Sequence, residues 1–213
     1  MRLFERILGA RFEALAPEVQ ALHRQVGVKE GEISLRASPI MQLFGFPPPC
    51  KDAPLWFGTR EEENVAIWRR QIKDRELRSE VWQSGDLVVE RMGVVTITSE
   101  LVIEHGALSQ ETRGVRFMDM PLPRALWPRV TAREWGAGGT YHFTIEVRAP
   151  IFDVVLLAYE GWLRPKLGAL AARSAGSGRT CLRRVWRPLN CRLHALCSRP
   201  YPATLLCVGS LRA

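Results

Sequence analysis

Residues 138–163 decide the fold, and they read GGTYHFTIEVRAPIFDVVLLAYEGWL. In the first half of this stretch every second residue is aromatic or aliphatic, and these residues are Tyr141, Phe143, Ile145 and Val147. A period of two is typical of a β-strand with one buried face and one wet face. Residues 154–159 are apolar throughout, which indicates a second strand covered on both faces. We therefore expect two strands, separated at Ala149-Pro150, with the four alternating residues facing the core together.

Two short helices are predicted before the first strand. The apolar residues at positions 3, 4, 7 and 8 fall at helical spacing. Pro17 suits the first turn of a second helix, which carries Val19, Leu22 and Val26 and ends at Gly27. We expect these helices to lie over one face of the strand at residues 154–159. His23 stands alone on the second helix, and we interpret it as a core or edge residue rather than a ligand.

Between the helices and the final strand pair, the chain is a series of short strand-like runs joined by turn residues. The runs are 32–36, 54–59, 65–73, 77–83, 86–91, 94–104, 108–118 and 129–135. Turns are indicated at Gly85, Gly93 and Gly106, and residues 46–49 form a rigid extended connector. No long helical pattern interrupts residues 31–165, which excludes parallel βαβ units. The sequence predicts a mainly β (α+β) fold, in which a curled antiparallel sheet of about eight to ten strands forms a calycin-like barrel or half-barrel.

Charge divides the chain into a single β-rich domain, residues 1–165, and a tail, residues 166–213. The domain has 21 Lys and Arg against 22 Asp and Glu, a net charge of −1, whereas the tail has nine Lys and Arg and no acid, a net charge of +9. These give the +8 of the whole chain, so its basic character belongs to the tail. We therefore expect no nucleic-acid partner for the domain.

Cysteine usage and hydropathy indicate the compartment. Cys50 is the only cysteine of residues 1–165, so no disulfide can form within the domain, which suits a reducing cytoplasm. The first residues carry charges too often for a signal peptide, and no run approaches the ~20 apolar residues of a membrane span. We expect a cytoplasmic, bacterial protein with no membrane contact.

The tail admits three interpretations. Nine cations without an acid are compatible with nucleic-acid binding. Zinc binding would use Cys181, Cys191, His194, Cys197 and Cys207, but their spacing includes no two-residue knuckle. A composition rich in Arg, Cys, Pro, Ser and Leu without acids is also what a GC-rich gene yields when it is translated out of frame. We favour the last, and expect a disordered or out-of-frame tail that packs little against the domain.

Aromatic and charged strand residues are the candidates for a ligand site. Barrels of about eight strands can hold one small ligand, and tryptophans can line such a cavity. Arg70 could hold a carboxylate or phosphate there, although a structural ion pair with Glu90 is the favoured interpretation. The predicted ligand-binding residues are Trp68, Arg70, Glu90, Tyr141, Tyr159 and Trp162.

Catalysis and metal binding are less well supported by the sequence. Two of the carboxylates Glu90, Glu146 and Glu160 could act as acid and base if both faced one cavity, but exposed strand charges are the favoured interpretation. No phosphate loop, nucleophile elbow, HExxH or CxxC motif is present. His105 and His142 lie on different predicted elements from His23. We predict no catalytic residue, no metal and no cofactor.

The chain resembles a bacterial family, domain of unknown function 4166, over about residues 4–165. The matching positions run FxxLAPxVxxxH from Phe12 to His23, Trp68 to Arg70 after Glu62, Leu87xxGlu90xxGly93, Arg116-Phe117, Pro121 to Pro123, Gly139xTyrxPhe143 and Tyr159xGlyTrpLeu163. The resemblance assigns no role to His142 and Asp153, and it stops after Leu163. It implies no activity, but such domains occur alone or attached to redox-type domains.

Three functions remain open at this point. The leading prediction is non-catalytic binding of a small, largely apolar ligand in the barrel. The first alternative is an accessory domain that docks a partner enzyme of redox type. The second alternative is an enzyme that uses strand carboxylates. A hollow apolar barrel favours binding, and a filled barrel with an apolar surface patch favours docking.

Overall fold

The computed structural model describes residues 1–165. Residues 166–213 lie outside the described part of the chain. The three interpretations of the tail, including its disorder and the cysteine–histidine zinc site, therefore stay predictions.

Three α-helices and two 3-10 helices are present among the described residues. The α-helices are α1 (Leu3–Leu8), α2 (Pro17–Arg24) and α3 (Pro39–Leu43), and the 3-10 helices span Gly9–Ala14 and Arg124–Leu126. The two predicted N-terminal helices are confirmed, with Pro17 in the first turn of α2. Val26 and Gly27 lie outside α2, because the helix ends at Arg24 and Gly27 begins the first strand. None of the helices in residues 1–165 is long and apolar enough to cross a lipid bilayer.

Eleven strands form one antiparallel sheet. They are β1 (Gly27–Ala37), β2 (Cys50–Glu62), β3 (Val65–Ile72), β4 (Arg75–Ser84), β5 (Leu87–Met92), β6 (Val95–Glu104), β7 (Ala107–Phe117), β8 (Met120–Pro121), β9 (Arg129–Ala137), β10 (Thr140–Arg148) and β11 (Val155–Pro165). Their order is β6-β5-β4-β3-β2-β1-β11-β10-β9-β7-β8, and β6 also pairs with β7. That additional pairing closes ten strands into a barrel, with β8 as an extra strand, so the predicted mainly β barrel is confirmed.

The register of β10 confirms the alternation that the sequence shows. Tyr141 and Phe143 are buried, and Ile145 and Val147 pack half-buried against the same core. The expectation for residues 154–159 is only partly met. Leu157 is buried, but Val154 is exposed and precedes β11. The N-terminal helices do not cover this strand, because α1 packs against β4, and α2 against β9 and β10.

The helices α1 and α2 cover one end of the barrel, which we call the helical end. The Ala16 amide donates a hydrogen bond of 2.8 Å to the Gly106 carbonyl in the β6–β7 turn, and the Gly139 amide donates one of 2.9 Å to Glu18. Arg6 contacts Glu61, near the β2–β3 turn, at 3.1 Å. Three hairpin turns are thereby held to the N-terminal segment.

The opposite end, which we call the open end, carries the other set of connections. They are loop 38–49 with α3, turn 73–74, turn 93–94, loop 118–128 and loop 149–154. In an antiparallel barrel, alternate connections lie at the same end, which places these segments together. Helix α3 was not predicted, because five residues are too few to show a helical period.

Candidate ligand-binding cavity

A cavity of about 280 Å³ occupies the barrel interior. It extends from Leu22 and Trp68 at the helical end to Phe44 and Pro128 at the open end. All four alternating residues of β10 face it. The barrel is therefore hollow, and most of its lining side chains are apolar.

An ion pair stands on one wall of the cavity. The Arg70 Nη2 atom lies 3.2 Å from the Glu90 Oε1 atom, and Nη1 donates a hydrogen bond of 2.6 Å to the Ser79 hydroxyl. The residues belong to β3, β5 and the intervening β4. Burial opposes the charge of Arg70, but Glu90 outweighs it with help from Tyr159 and raises the pKa of the guanidinium. The predicted ion pair is present, and it faces the cavity rather than the outer surface.

Aromatic rings support this guanidinium. Its Cζ atom lies 5.3 Å from the centre of the Trp68 ring and 5.7 Å from that of Phe57. Arginine at this distance from an aromatic face is attracted by the ring quadrupole, and the attraction is stronger away from water. The side chain of Arg70 is only 14% exposed, so its attraction to the rings is of this stronger kind. Arg70 is thus held in place by Glu90, Ser79 and the two aromatic rings.

Two tyrosines of the cavity keep their protons at neutral pH. Burial raises the pKa of Tyr159 to about 12, with Arg70 lowering it and Glu90 raising it by smaller amounts. Burial also raises the pKa of Tyr141 well above its usual value, and the neighbouring Glu134 carboxylate adds to this effect. A protonated phenol can donate a hydrogen bond to a carbonyl, hydroxyl or carboxylate oxygen.

A buried histidine–glutamate pair lies at the helical end of the cavity. The His23 Nε2 atom is 2.7 Å from the Glu134 Oε2 atom, and their side chains are 2% and 9% exposed. The Phe4 ring stacks on the imidazole with 3.8 Å between ring centres. The interpretation of His23 as a core residue is therefore correct, but its partner was not predicted. Alternation along β9, which places Val130, Ala132 and Glu134 on the inner face, is the signal that could have identified it.

Five of the six predicted ligand-binding residues line this cavity, namely Trp68, Arg70, Glu90, Tyr141 and Tyr159. Trp162 does not. Tyr159 and Leu163 face inward on β11, so the odd-numbered positions point into the barrel and Trp162 points out. Its ring lies 5.3 Å from the Arg164 guanidinium instead.

The other two carboxylates that the sequence suggested for catalysis lie away from the cavity. Glu146 and Glu160 occupy positions of β10 and β11 that alternate with the inward-facing residues. Glu146 instead accepts a hydrogen bond of 2.5 Å from Arg148. The carboxylates that do line the cavity are Glu90 and Glu134, and each has a basic partner. Within residues 1–165, no three His, Cys, Asp or Glu side chains gather as they would around a metal ion.

Lys29 is a second buried cation, outside the cavity lining. It is 4% exposed, and its Nζ atom donates a hydrogen bond of 2.7 Å to the Gln25 carbonyl. A second contact of 3.5 Å joins Nζ to the Thr59 hydroxyl. Burial lowers the pKa of Lys29 to about 8. The folded protein therefore loses this proton at a lower pH than the unfolded chain does.

Stability is expected to rise with pH because of Lys29. Between about pH 8 and the ordinary lysine pKa of about 10.4, the unfolded state binds more protons, so the free energy of unfolding increases by roughly 2 kcal/mol. Lys29→Met should remove this increase and stabilise the protein at pH 7. Urea unfolding at pH 7.5 and 9.5 measures both effects, with Lys51→Met as the exposed control. Identical pH dependence in wild type and Lys29→Met would contradict the expectation.

The comparisons with known proteins place residues 15–163 under the family model "Domain of unknown function (DUF4166)". A solved structure of a protein of unknown function from the DUF3598 family of Nostoc punctiforme is similar over 66% of this chain and 47% of that chain, with 11% identity and a TM-score of 0.43. The Rv2717c protein of M. tuberculosis is similar over 71% of this chain and 99% of that chain, with 11% identity and a TM-score of 0.41. The sequence matches none of the curated proteins.

Proposed function

The protein belongs to the DUF4166 family, and we propose that it binds a small, largely apolar ligand inside its barrel. The observation that supports the proposal is the cavity of about 280 Å³, whose walls are mostly apolar. Ligand sites are typically concave and apolar, with a few polar groups that fix orientation. A barrel that served only as a scaffold would gain stability by filling this space with side chains.

The polar groups indicate what the ligand carries. Arg70 and Glu90 neutralise each other, so the wall that they form attracts a dipole more than a free charge. Tyr159 lies in the field of this pair and stays protonated. We infer a ligand with an apolar body and one hydrogen-bonding group, such as a carbonyl or hydroxyl oxygen, that meets Arg70 and Tyr159. The apolar body would extend toward Phe44 and Pro128 at the open end.

Filling the cavity should weaken binding without unfolding the protein. Ala132 lines the cavity from β9, so in Ala132→Phe the new ring would occupy the space of the ligand. We expect saturable binding of anilinonaphthalene sulfonate to wild type and affinity lower by about tenfold or more in the variant, since a ligand in an occupied site loses its apolar burial. Fluorescence titration and calorimetry measure this, and circular dichroism checks the fold.

Thr131→Phe is the matched control, because Thr131 neighbours Ala132 on β9 and is exposed. Its affinity should equal that of wild type. Acyl chains, isoprenoids and aromatic compounds then define the ligand class by calorimetry. Only saturable binding counts, since partly unfolded protein also takes up the dye. If wild type binds no compound saturably, an accessory domain that docks a partner enzyme becomes the better proposal.

The compartment that we propose is the bacterial cytoplasm. Cys50 is the one cysteine of residues 1–165 and is a free thiol, which is compatible with a reducing compartment. The calycin-like use of the barrel, with one ligand inside a closed antiparallel sheet, is part of the same proposal. Neither statement requires an enzymatic activity.

A further inference from the structure

Exposed apolar side chains are concentrated at the open end of the barrel. The most exposed are Leu43 in α3, at 87%, and Phe152 and Ile151 in loop 149–154, at 80% and 69%. Others stand in turn 93–94 and loop 118–128. We call this set the apolar rim, and its members are Ile40, Leu43, Val94, Met118, Ile151 and Phe152. Exposed apolar side chains gathered at one end of a domain indicate an interaction site more strongly than scattered single ones do.

Backbone hydrogen bonds and one ring contact hold these loops side by side. The Ser38 amide donates a bond of 2.9 Å to the Leu156 carbonyl, which joins loop 38–49 to the start of β11. The Met118 amide donates one of 2.8 Å to the Val94 carbonyl, which joins loop 118–128 to turn 93–94. The Phe44 and Phe117 rings form a T-shaped pair with 6.4 Å between their centres, and this contact connects the two groups. The rim residues Ile40, Leu43 and Met118 thus lie on the same loops as Met41, Phe44 and Pro128, which line the cavity at the open end.

The charges at the open end are basic on balance. Loop 38–49 and turn 93–94 contain no charged residue. The Asp119 carboxylate contacts the Arg91 guanidinium at 2.6 Å, and Asp153 is paired with Arg129. Turn 73–74 carries one charge of each sign. Over the open-end connections and the strand ends beside them (residues 36–52, 71–76, 91–96, 116–129 and 146–155), nine Lys and Arg stand against six Asp and Glu. Apolar tips with surrounding arginines are the pattern of surfaces that enter the interface of an anionic bilayer.

We propose that the apolar rim inserts into the headgroup region of an anionic lipid surface. A protein partner fits the geometry less well, because the rim consists of separate loop tips and presents neither a helix groove nor a long free strand edge. A bilayer accepts loop tips at any spacing, and the cytoplasmic leaflet is anionic. This departs from the expectation of no membrane contact, which rested on the lack of a spanning segment, whereas surface insertion needs none. The cavity mouth would then face a phase in which apolar ligands dissolve.

Vesicle binding tests the proposal with the full chain. Wild type, the rim variant Leu43→Ser with Phe152→Ser, and the control Val26→Ser with Val28→Ser are sedimented with phosphatidylcholine vesicles containing phosphatidylglycerol. Val26 and Val28 are also exposed, but they lie at the helical end. We expect wild type and control to bind equally and the rim variant to bind about tenfold or more weakly, because two large apolar side chains no longer enter the lipid. The basic tail is identical in all three proteins, so it cannot produce this difference.

Three outcomes would overturn the proposal. The first is wild type that remains in the supernatant. The second is a rim variant that binds as well as wild type, in which case headgroup attraction to the tail explains the binding. The third is a control that loses as much affinity as the rim variant. Sedimentation velocity without vesicles tests whether the rim instead joins two copies of the protein. If wild type is a dimer that only the rim variant dissociates, the rim joins two copies of this chain instead.

Discussion

Replacing Gly31 with alanine is expected to lower the free energy of unfolding by about 3 kcal/mol or more. A Cβ atom at Gly31 would lie 1.8 Å from the carbonyl oxygen of Trp162 and 3.0 Å from the Cα atom of Leu163. Both are backbone atoms of β11, which cannot rotate away as a side chain could. Gly31 pairs with Leu163 in the ladder between β1 and β11, which joins the first strand of the barrel to the last. The substitution therefore forces that ladder apart.

Gly58→Ala is the matched control for this experiment. Gly58 also lies on a barrel strand, but a Cβ atom there would meet nothing within 4 Å, and its backbone angle is one that other residues adopt. We expect its free energy of unfolding to stay within about 0.5 kcal/mol of wild type. Urea unfolding followed by tryptophan fluorescence and circular dichroism measures all three proteins. Equal stability of Gly31→Ala and Gly58→Ala would show that the ladder is looser than the structure indicates.

The importance of Gly31 was not visible in the sequence, although the barrel was. Alternation in residues 141–147 predicts a strand because its period depends only on which side chains avoid water. The first strand was predicted at residues 32–36, whereas β1 begins at Gly27. Its early residues, including Lys29 and Glu30, are too polar to show the pattern. How closely β1 approaches β11 depends on barrel closure, which is a tertiary property.

The cavity-lining residues were predictable where the sequence shows which alternate residues of a strand face inward. Trp68 and Arg70 share one face of β3, so the interpretation of one as inward places the other there as well. Trp162 was predicted because its ring is aromatic. It lies three positions after Tyr159 on the same strand, so when Tyr159 faces the cavity Trp162 must face outward. Glu134 was overlooked because β9 alternates small or aliphatic residues with arginine and threonine, a weaker contrast than in β10. The partnership of Glu134 with His23 joins residues 111 positions apart, which no local pattern predicts.

Phe143→Ala should destabilise the protein by roughly 3–5 kcal/mol, the range for truncating a buried phenylalanine. The residue is 6% exposed, and its ring contacts those of Tyr141 and Tyr159 at 5.9 and 6.1 Å between centres. It also covers Gly161, its partner on β11, where a Cβ atom would lie 2.8 Å from the ring. Gly161 has no side chain, so it cannot fill the space that is left when the Phe143 ring is removed. A loss of this size is a large part of the stability of an ordinary domain.

Thr144→Ala separates the effect of the ring from that of changing β10. Thr144 is the next residue of the strand, lies on its other face and is half-buried, so its truncation should cost within about 1 kcal/mol. Thermal and urea unfolding compare the two variants with wild type. Because Phe143 lines the cavity, its loss enlarges the site, and a saturating apolar ligand should recover part of the stability through binding to the folded state alone. A melting temperature of Phe143→Ala equal to that of wild type would contradict the assignment of β10 as the strand whose inner face builds the core.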